Sequence, residues 1–305
     1  MNQLGDIMFS LPVLYNLKQS YPEAEISCVS RNPVISELAI LNGLIDRALV
    51  RPDNIFKKMK IFWPLKKEKI DLALFLSQSV DSSLLGYWLG IPRRIGFVSS
   101  PVSFLYTEKV FFAPPPSLTN NLRLLEPLGI KITKTDYTGL LKLTPDKEYL
   151  QQLNIGENDF VVVIAPGTSR RRKHKMWSAE KFSIVIKDLL KKYSARCLIA
   201  GTKNDYPVCL RIKQMSKSEK VSNLAGQTTL SQISQILSRS NLFLGVDSGL
   251  MHLAAALDRP VVGLFGKTRP EIIGPENKNK VIIKKARMEE ISPSEVIAGI
   301  DRLLS

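Results

Sequence analysis

The chain has 305 residues, 44% of them hydrophobic and 23% charged, a composition that suits soluble globular protein and two domains each able to bury a core. No apolar run approaches the ~20 residues needed to cross a bilayer, and the opening Met1-Asn-Gln-Leu-Gly-Asp lacks both regions of a signal peptide, so a cytoplasmic protein is expected. The balance of 43 Lys and Arg against 28 Asp and Glu gives a formal charge of +15, which implies an anionic partner: nucleic acid, an anionic membrane surface or a phosphorylated substrate.

Gly5-Asp6 leads into a helix over 5–18, whose Ile7, Leu11, Leu14 and Leu17 recur at helical spacing. Residues 25–30 read as a strand, and a helical segment follows Pro33. Strands at 47–50 and 71–76 come next, the second apolar enough to be central in its sheet. Residues 55–69 between them form a basic helix. Its lysines (Lys57, Lys58, Lys60, Lys66, Lys67 and Lys69) flank Phe62 and Trp63, a pattern that suits an interfacial surface as well as a solvated face. A helix over 82–89, a strand over 93–97, an irregular stretch ending in Pro114-Pro115-Pro116 and a helix over 120–128 follow.

The polar stretch 144–158 marks a domain boundary. A second series then begins with the strand 160–165 and the turn-rich loop Pro166-Gly-Thr-Ser-Arg170. A helix over 179–193, a strand over 196–200, the loop 201–205, a helix to about 217, a strand end at 221–223 and a helix over 230–237 continue it. The apolar strand 242–246 then meets the turn Asp247-Ser248-Gly249, a helix to 257, and a second buried strand from Pro260 to Gly266. A basic patch at 278–287 and an amphipathic helix over 293–304 close the chain. Alternating strand and helix is the pattern of a parallel sheet covered on both faces, so the fold class is α/β, with two doubly wound domains.

In such folds ligands bind at the carboxyl edge of the sheet, where the Asp247-Ser-Gly turn lies. Backbone N–H groups of Ser248 and Gly249 suit an anionic oxygen there, although Asp247 read alone is also a helix cap and His252 also a core histidine. Gly-x-Gly-x-x-Gly, Walker-type and Gly-x-Ser-x-Gly motifs are absent, which argues against dehydrogenase, P-loop and hydrolase chemistry. Cys28, Cys197 and Cys209 lack metal-ligand spacing, and His174 and His252 are the only histidines, so no metal and no cofactor are expected. Hydroxyls, a helix N-terminus and Lys175 converging on these loops suit a diphosphate, and Asp205 suits ribose hydroxyls.

Gly5-Asp6 with Pro12, Pro166-Gly-Thr-Ser with Lys175-x-Trp177, Asn223-Leu-Ala-Gly226, and Asp247-Ser-Gly-x-x-His252 with Phe265-Gly266 occur in an order that resembles glycosyltransferase family 9. That family contains the ADP-heptose:lipopolysaccharide heptosyltransferases. The resemblance implies the GT-B architecture, two Rossmann-like domains facing across a cleft, and an inverting enzyme without an active-site metal. Residues 1–150 would bind the acceptor and 151–305 the donor, with the last helix packing back on the first domain. Family members begin with a buried strand that delivers the Gly-Asp loop; this sequence begins inside that loop, so an upstream start is expected.

Carried over, Asp6 matches the general base, and Thr168, Ser169, Ser248 and Gly249 match phosphate contacts. Lys175 matches the lysine that pairs with diphosphate and sugar, and Asp247 a carboxylate near the sugar hydroxyls. Asp205 stands at a ribose-binding position that is Glu in the heptosyltransferase I type; Thr228 stands near that type's adenine-contacting Met, and His252 completes the helix motif. The implied partners are ADP-heptose and an anionic, lipid-linked saccharide at the cytoplasmic face of the inner membrane. Nucleic acid is not expected, since no aromatic-basic recognition motif appears. Another nucleotide sugar or acceptor, or a catalytically silent glycosyltransferase-like protein, are the alternatives.

Overall fold

The computed structural model describes residues 4–30, 33–52, 61–113, 117–167 and 175–305, and the chain divides into two compact units, Met1–Asp136 and Tyr137–Ser305. The first unit opens on α1 (Leu4–Met8) and α2 (Leu11–Ser20) instead of one helix over 5–18. Pro12 accounts for the break: it has no N–H to continue the ladder, yet it suits the first turn of a new helix. Ser10 joins the two helices by donating its hydroxyl to the Asp6 carbonyl at 2.8 Å.

Then follow β1 (Ser27–Ser30), α3 (Pro33–Leu41), β2 (Arg47–Val50), β3 (Leu72–Leu74), α4 (Val80–Trp88), β4 (Arg93–Phe97), β5 (Glu108–Val110) and α5 (Ser117–Arg123). Strands β1 and β2 pair in parallel, and β3, β4 and β5 form a second parallel ladder. The central strand expected at 71–76 is shorter and less buried. Among the described residues β3 pairs only with β4, and all three of its residues are half-buried. The apolar run continues past the strand because Phe75 stacks on Tyr106, ring centroids 5.0 Å apart. Of the basic segment at 55–69, residues 53–60 lie outside the described residues; Phe62 is buried, Trp63 is exposed, and Pro64–Lys67 is a 3-10 turn.

The second unit contains α6 (Lys147–Gln152), β6 (Val161–Ala165), α7 (Ala179–Tyr193), β7 (Arg196–Ile199), α8 (Tyr206–Ser216), β8 (Val221–Asn223) and α9 (Leu230–Arg239). It continues with β9 (Leu242–Val246), α10 (Gly249–Ala256), β10 (Val261–Phe265), α11 (Pro270–Ile273), β11 (Lys280–Lys284) and α12 (Pro293–Leu304). Its sheet runs β11-β10-β9-β6-β7-β8, parallel throughout. Every residue of β6, β9 and β10 is buried, which is why these strands are unbroken apolar runs without alternation. Ser178, Thr229 and Ser292 each cap a helix N-terminus through the side-chain oxygen.

Two expectations change here. The unit boundary falls at 136/137, not 150/151, because the intervening chain is tied to the second unit: Gly139 N–H donates to Ala256 O and Asp146 N–H to the Gln235 side chain, both at 3.0 Å. Much of the basic patch at 278–287 is strand β11, with Val281 inward and Lys280 and Lys284 exposed at its ends. The closing helix α12 places Val296 and Ile300 in the second unit's core.

Candidate functional site

The strand order places a switch point between β6 and β9, since β7 and β8 extend the sheet on one side and β10 and β11 on the other. The two strands lie close. A Cβ on Gly245 would sit 2.8 Å from the Ala165 carbonyl oxygen, so only glycine fits the backbone two residues before Asp247. At the carboxyl edge the loop from β6 starts at Pro166 and the turn from β9 at Asp247.

Lys175 and Asp247 form an ion pair here, Nζ to Oδ2, with only 3% and 6% of each residue exposed. Trp177 holds the segment carrying the lysine: its indole N–H donates to Ile291 O at 3.0 Å, and its ring meets Phe182 edge-on. The spacing Lys175-x-Trp177 therefore joins a buried charge to a buried anchor. Helix α10 starts immediately after Ser248, so its first backbone N–H groups lack intrahelical acceptors next to Asp247. The Ser248 hydroxyl does not cap the helix; it is buried without a hydrogen-bond partner among the described residues.

His252 lies one turn along α10, buried, with Nδ1 2.8 Å from the Tyr137 hydroxyl. Burial pushes it down from 6.5 to about 4; the Asp247 carboxylate opposes this and the Lys175 ammonium reinforces it. A neutral imidazole that gains a proton on unfolding contributes stability that is full above pH ~6.5 and is lost as pH falls through about 4. The contribution is about 3 kcal/mol. Urea unfolding from pH 7 to 4 should therefore show the parent losing more stability than His252→Gln. Parallel profiles would refute the buried neutral histidine as a source of acid sensitivity.

The neighbouring loops are packed in a row. Asp205 ends a 3-10 turn, its Oδ2 accepting from Thr202 N–H at 2.8 Å and Thr202 Oγ at 2.7 Å. Its carboxyl lies over Gly167, where an added Cβ would come within 2.2 Å. Gly226 has φ +71°, in the left-handed region, and its N–H donates to Gly201 O at 2.9 Å; Thr228 follows, half-buried, before α9. Thr168 and Ser169 lie outside the described residues. Asp6 is exposed in the first turn of α1, in the first unit.

The structure thus gathers Lys175, Asp247, Ser248, Gly249 and His252 at the start of α10, with Asp205 and Thr228 on adjoining loops. Tyr137 escaped the sequence reading because it lies 115 residues from His252. Thr268 also escaped it. Its hydroxyl is buried without a partner among the described residues, in the loop after β10. Among the described residues no group of His, Cys, Asp and Glu is placed to hold a metal ion, and no helix is long and apolar enough to cross a membrane.

Residues 59–296 match the sequence profile of glycosyltransferase family 9 (heptosyltransferase). The chain is 30% identical to lipopolysaccharide heptosyltransferase 3 of Escherichia coli K12, over 87% of this chain and 80% of that protein. In fold it is similar to E. coli ADP-heptose lps heptosyltransferase II, with a TM-score of 0.85 at 22% identity, over 100% of this chain and 96% of that one. It is also similar to an E. coli heptosyltransferase solved with ADP, with a TM-score of 0.79 at 18% identity, over 99% of this chain and 100% of that one. The two Rossmann-like units are those of the GT-B class.

Proposed function

The chain belongs to glycosyltransferase family 9, and from that premise we propose that it transfers heptose from ADP-heptose to a lipopolysaccharide inner core, with inversion and without a metal. The observation that carries this reading is the buried Lys175–Asp247 pair beside the start of α10, where the Ser248 hydroxyl has no partner among the described residues. Backbone N–H groups, an ammonium and free hydroxyls suit a diphosphate leaving group, and Asp247 suits the sugar hydroxyls. The names of the relatives support the donor and acceptor classes.

In the proposed step the acceptor oxygen bonds to the anomeric carbon as that carbon's bond to the diphosphate breaks. The electron pair leaves on ADP, with Lys175 and the start of α10 taking up the developing charge. Asp6 takes the acceptor proton. The role demands that its carboxylate lie within hydrogen-bonding reach of the acceptor hydroxyl. Thr168, Ser169, Ser248 and Gly249 hold phosphate, Asp205 the ribose, and Thr228 lies toward the base; His252 supports the helix. A lipid-linked acceptor places the protein peripherally at the cytoplasmic face of the inner membrane.

One observation favours a second reading, transfer from another nucleotide sugar: Thr228, half-buried just before α9, stands on the base side where the heptosyltransferase I type has an adenine-contacting Met. Calorimetry with ADP, UDP and GDP separates the two. ADP is expected to bind most tightly, and a clear preference for UDP or GDP would replace the ADP-heptose assignment.

A further inference from the structure

Helix α4 is amphipathic in an unusual sense. One face carries Ser83 and Gly86, both buried: Ser83 Oγ lies 2.7 Å from the Tyr106 hydroxyl, and a Cβ on Gly86 would come within 2.6 Å of the Phe75 ring. The outward stripe at i, i+4 and i+7 would ordinarily be polar. Here it is Val80, Leu84 and Tyr87, which are 40%, 48% and 58% exposed.

The apolar surface extends beyond the helix. The 3-10 turn Ser103–Leu105 packs against α4 and carries Phe104, 74% exposed. Trp63, also exposed, has its ring 5.8 Å from that of Trp88, the last residue of α4. Cations stand over the same rings, Lys66 5.4 Å from the Trp88 centroid and Arg94 5.6 Å from that of Tyr87. Among the described residues neither cation is paired with a carboxylate, whereas Asp81 at the edge of the stripe is matched by Arg51 at 3.6 Å.

We infer that this face of α4 is where the protein lies on an anionic lipid surface. Leu84, Tyr87 and Phe104 enter the headgroup boundary, while Lys66 meets lipid phosphates together with the Arg94 Nη2 group, since Arg94 Nε and Nη1 donate to Leu105 O and Ile91 O. Exposed apolar and aromatic side chains ringed by unneutralised cations match the chemistry of that boundary, where rings sit at headgroup depth and cations reach phosphate. The overall charge of +15 favours the same partner. Only the choice of lipid as partner rests on the lipid-linked acceptor of the proposed function.

The test uses bare vesicles without donor or acceptor, so its outcome is independent of the transferase reading. The parent should co-sediment at low salt with phosphatidylcholine vesicles containing phosphatidylglycerol, and much less with phosphatidylcholine alone. Leu84→Ser/Tyr87→Ser/Phe104→Ser and Lys66→Glu/Lys67→Glu should each lower partitioning about tenfold or more. Both should keep the parent urea midpoint, since the altered side chains are exposed or at the surface, and parent activity on a deacylated, soluble acceptor. Undiminished vesicle binding by either variant would overturn the inference, as would a parent that ignores anionic vesicles. So would light scattering that shows a parent dimer and a monomeric triple variant, because the face would then be a contact between copies.

Discussion

Lys175→Ala is expected to lower both stability and donor affinity, the first by ~3–5 kcal/mol, because it leaves the Asp247 carboxylate buried without its counter-charge. That is a large fraction of the ~5–15 kcal/mol that holds an ordinary domain together. A loss of binding in this variant alone would therefore be ambiguous, since an unfolded site binds nothing. Lys175→Met/Asp247→Asn resolves it by removing both charges at similar volume, so stability should recover to near the parent value. Donor affinity should not recover. Hydrogen bonds to charged groups contribute ~1.5–3 kcal/mol each, so ADP-sugar binding should stay weaker by roughly ten- to a hundredfold. A double variant that is stable and binds donor like the parent would leave the pair a structural one and remove both residues from the donor site.

The pairing of those residues was not readable from the sequence, although both were singled out. Lys175 and Asp247 lie 72 residues apart, and their contact depends on β6 and β9 being neighbours, which only the crossover order decides. The strands themselves were legible because residues 161–165, 242–246 and 261–265 are uninterrupted apolar runs that end in turn-forming residues. Strand β5, Glu-Lys-Val, is too short and polar to stand out, and β11 was hidden by its terminal lysines. The break between α1 and α2 had a visible signal in Pro12, outweighed by the helical spacing of Ile7, Leu11 and Leu14. The polar stretch at 144–158 indicated exposure instead of a boundary, and nothing local to Tyr137 announces its bond to His252. Leu84 and Tyr87 fit helical periodicity, and the sequence does not say that their stripe faces outward.

Asp6→Asn is expected to lower turnover by ~10²–10⁴-fold, the usual contribution of a positioned general base, while donor affinity stays near that of the parent. The two effects separate because the proposed partner of Asp6 is the acceptor proton, which matters in the reaction and not in holding the donor. The competing account starts from its place in the first turn of α1, where a carboxylate favours the helix dipole by ~0.3–1 kcal/mol. On that account asparagine, which retains a side-chain oxygen able to accept from backbone N–H, leaves turnover intact and shifts stability only slightly. Asp6 is exposed, so the substitution creates no cavity and buries no charge, and a stable variant is expected on either account. Single-turnover rates with saturating donor, beside calorimetric donor affinities, decide the matter. A folded Asp6→Asn chain that binds donor and transfers sugar at the parent rate would withdraw Asp6 from the chemistry and return it to the first turn of α1.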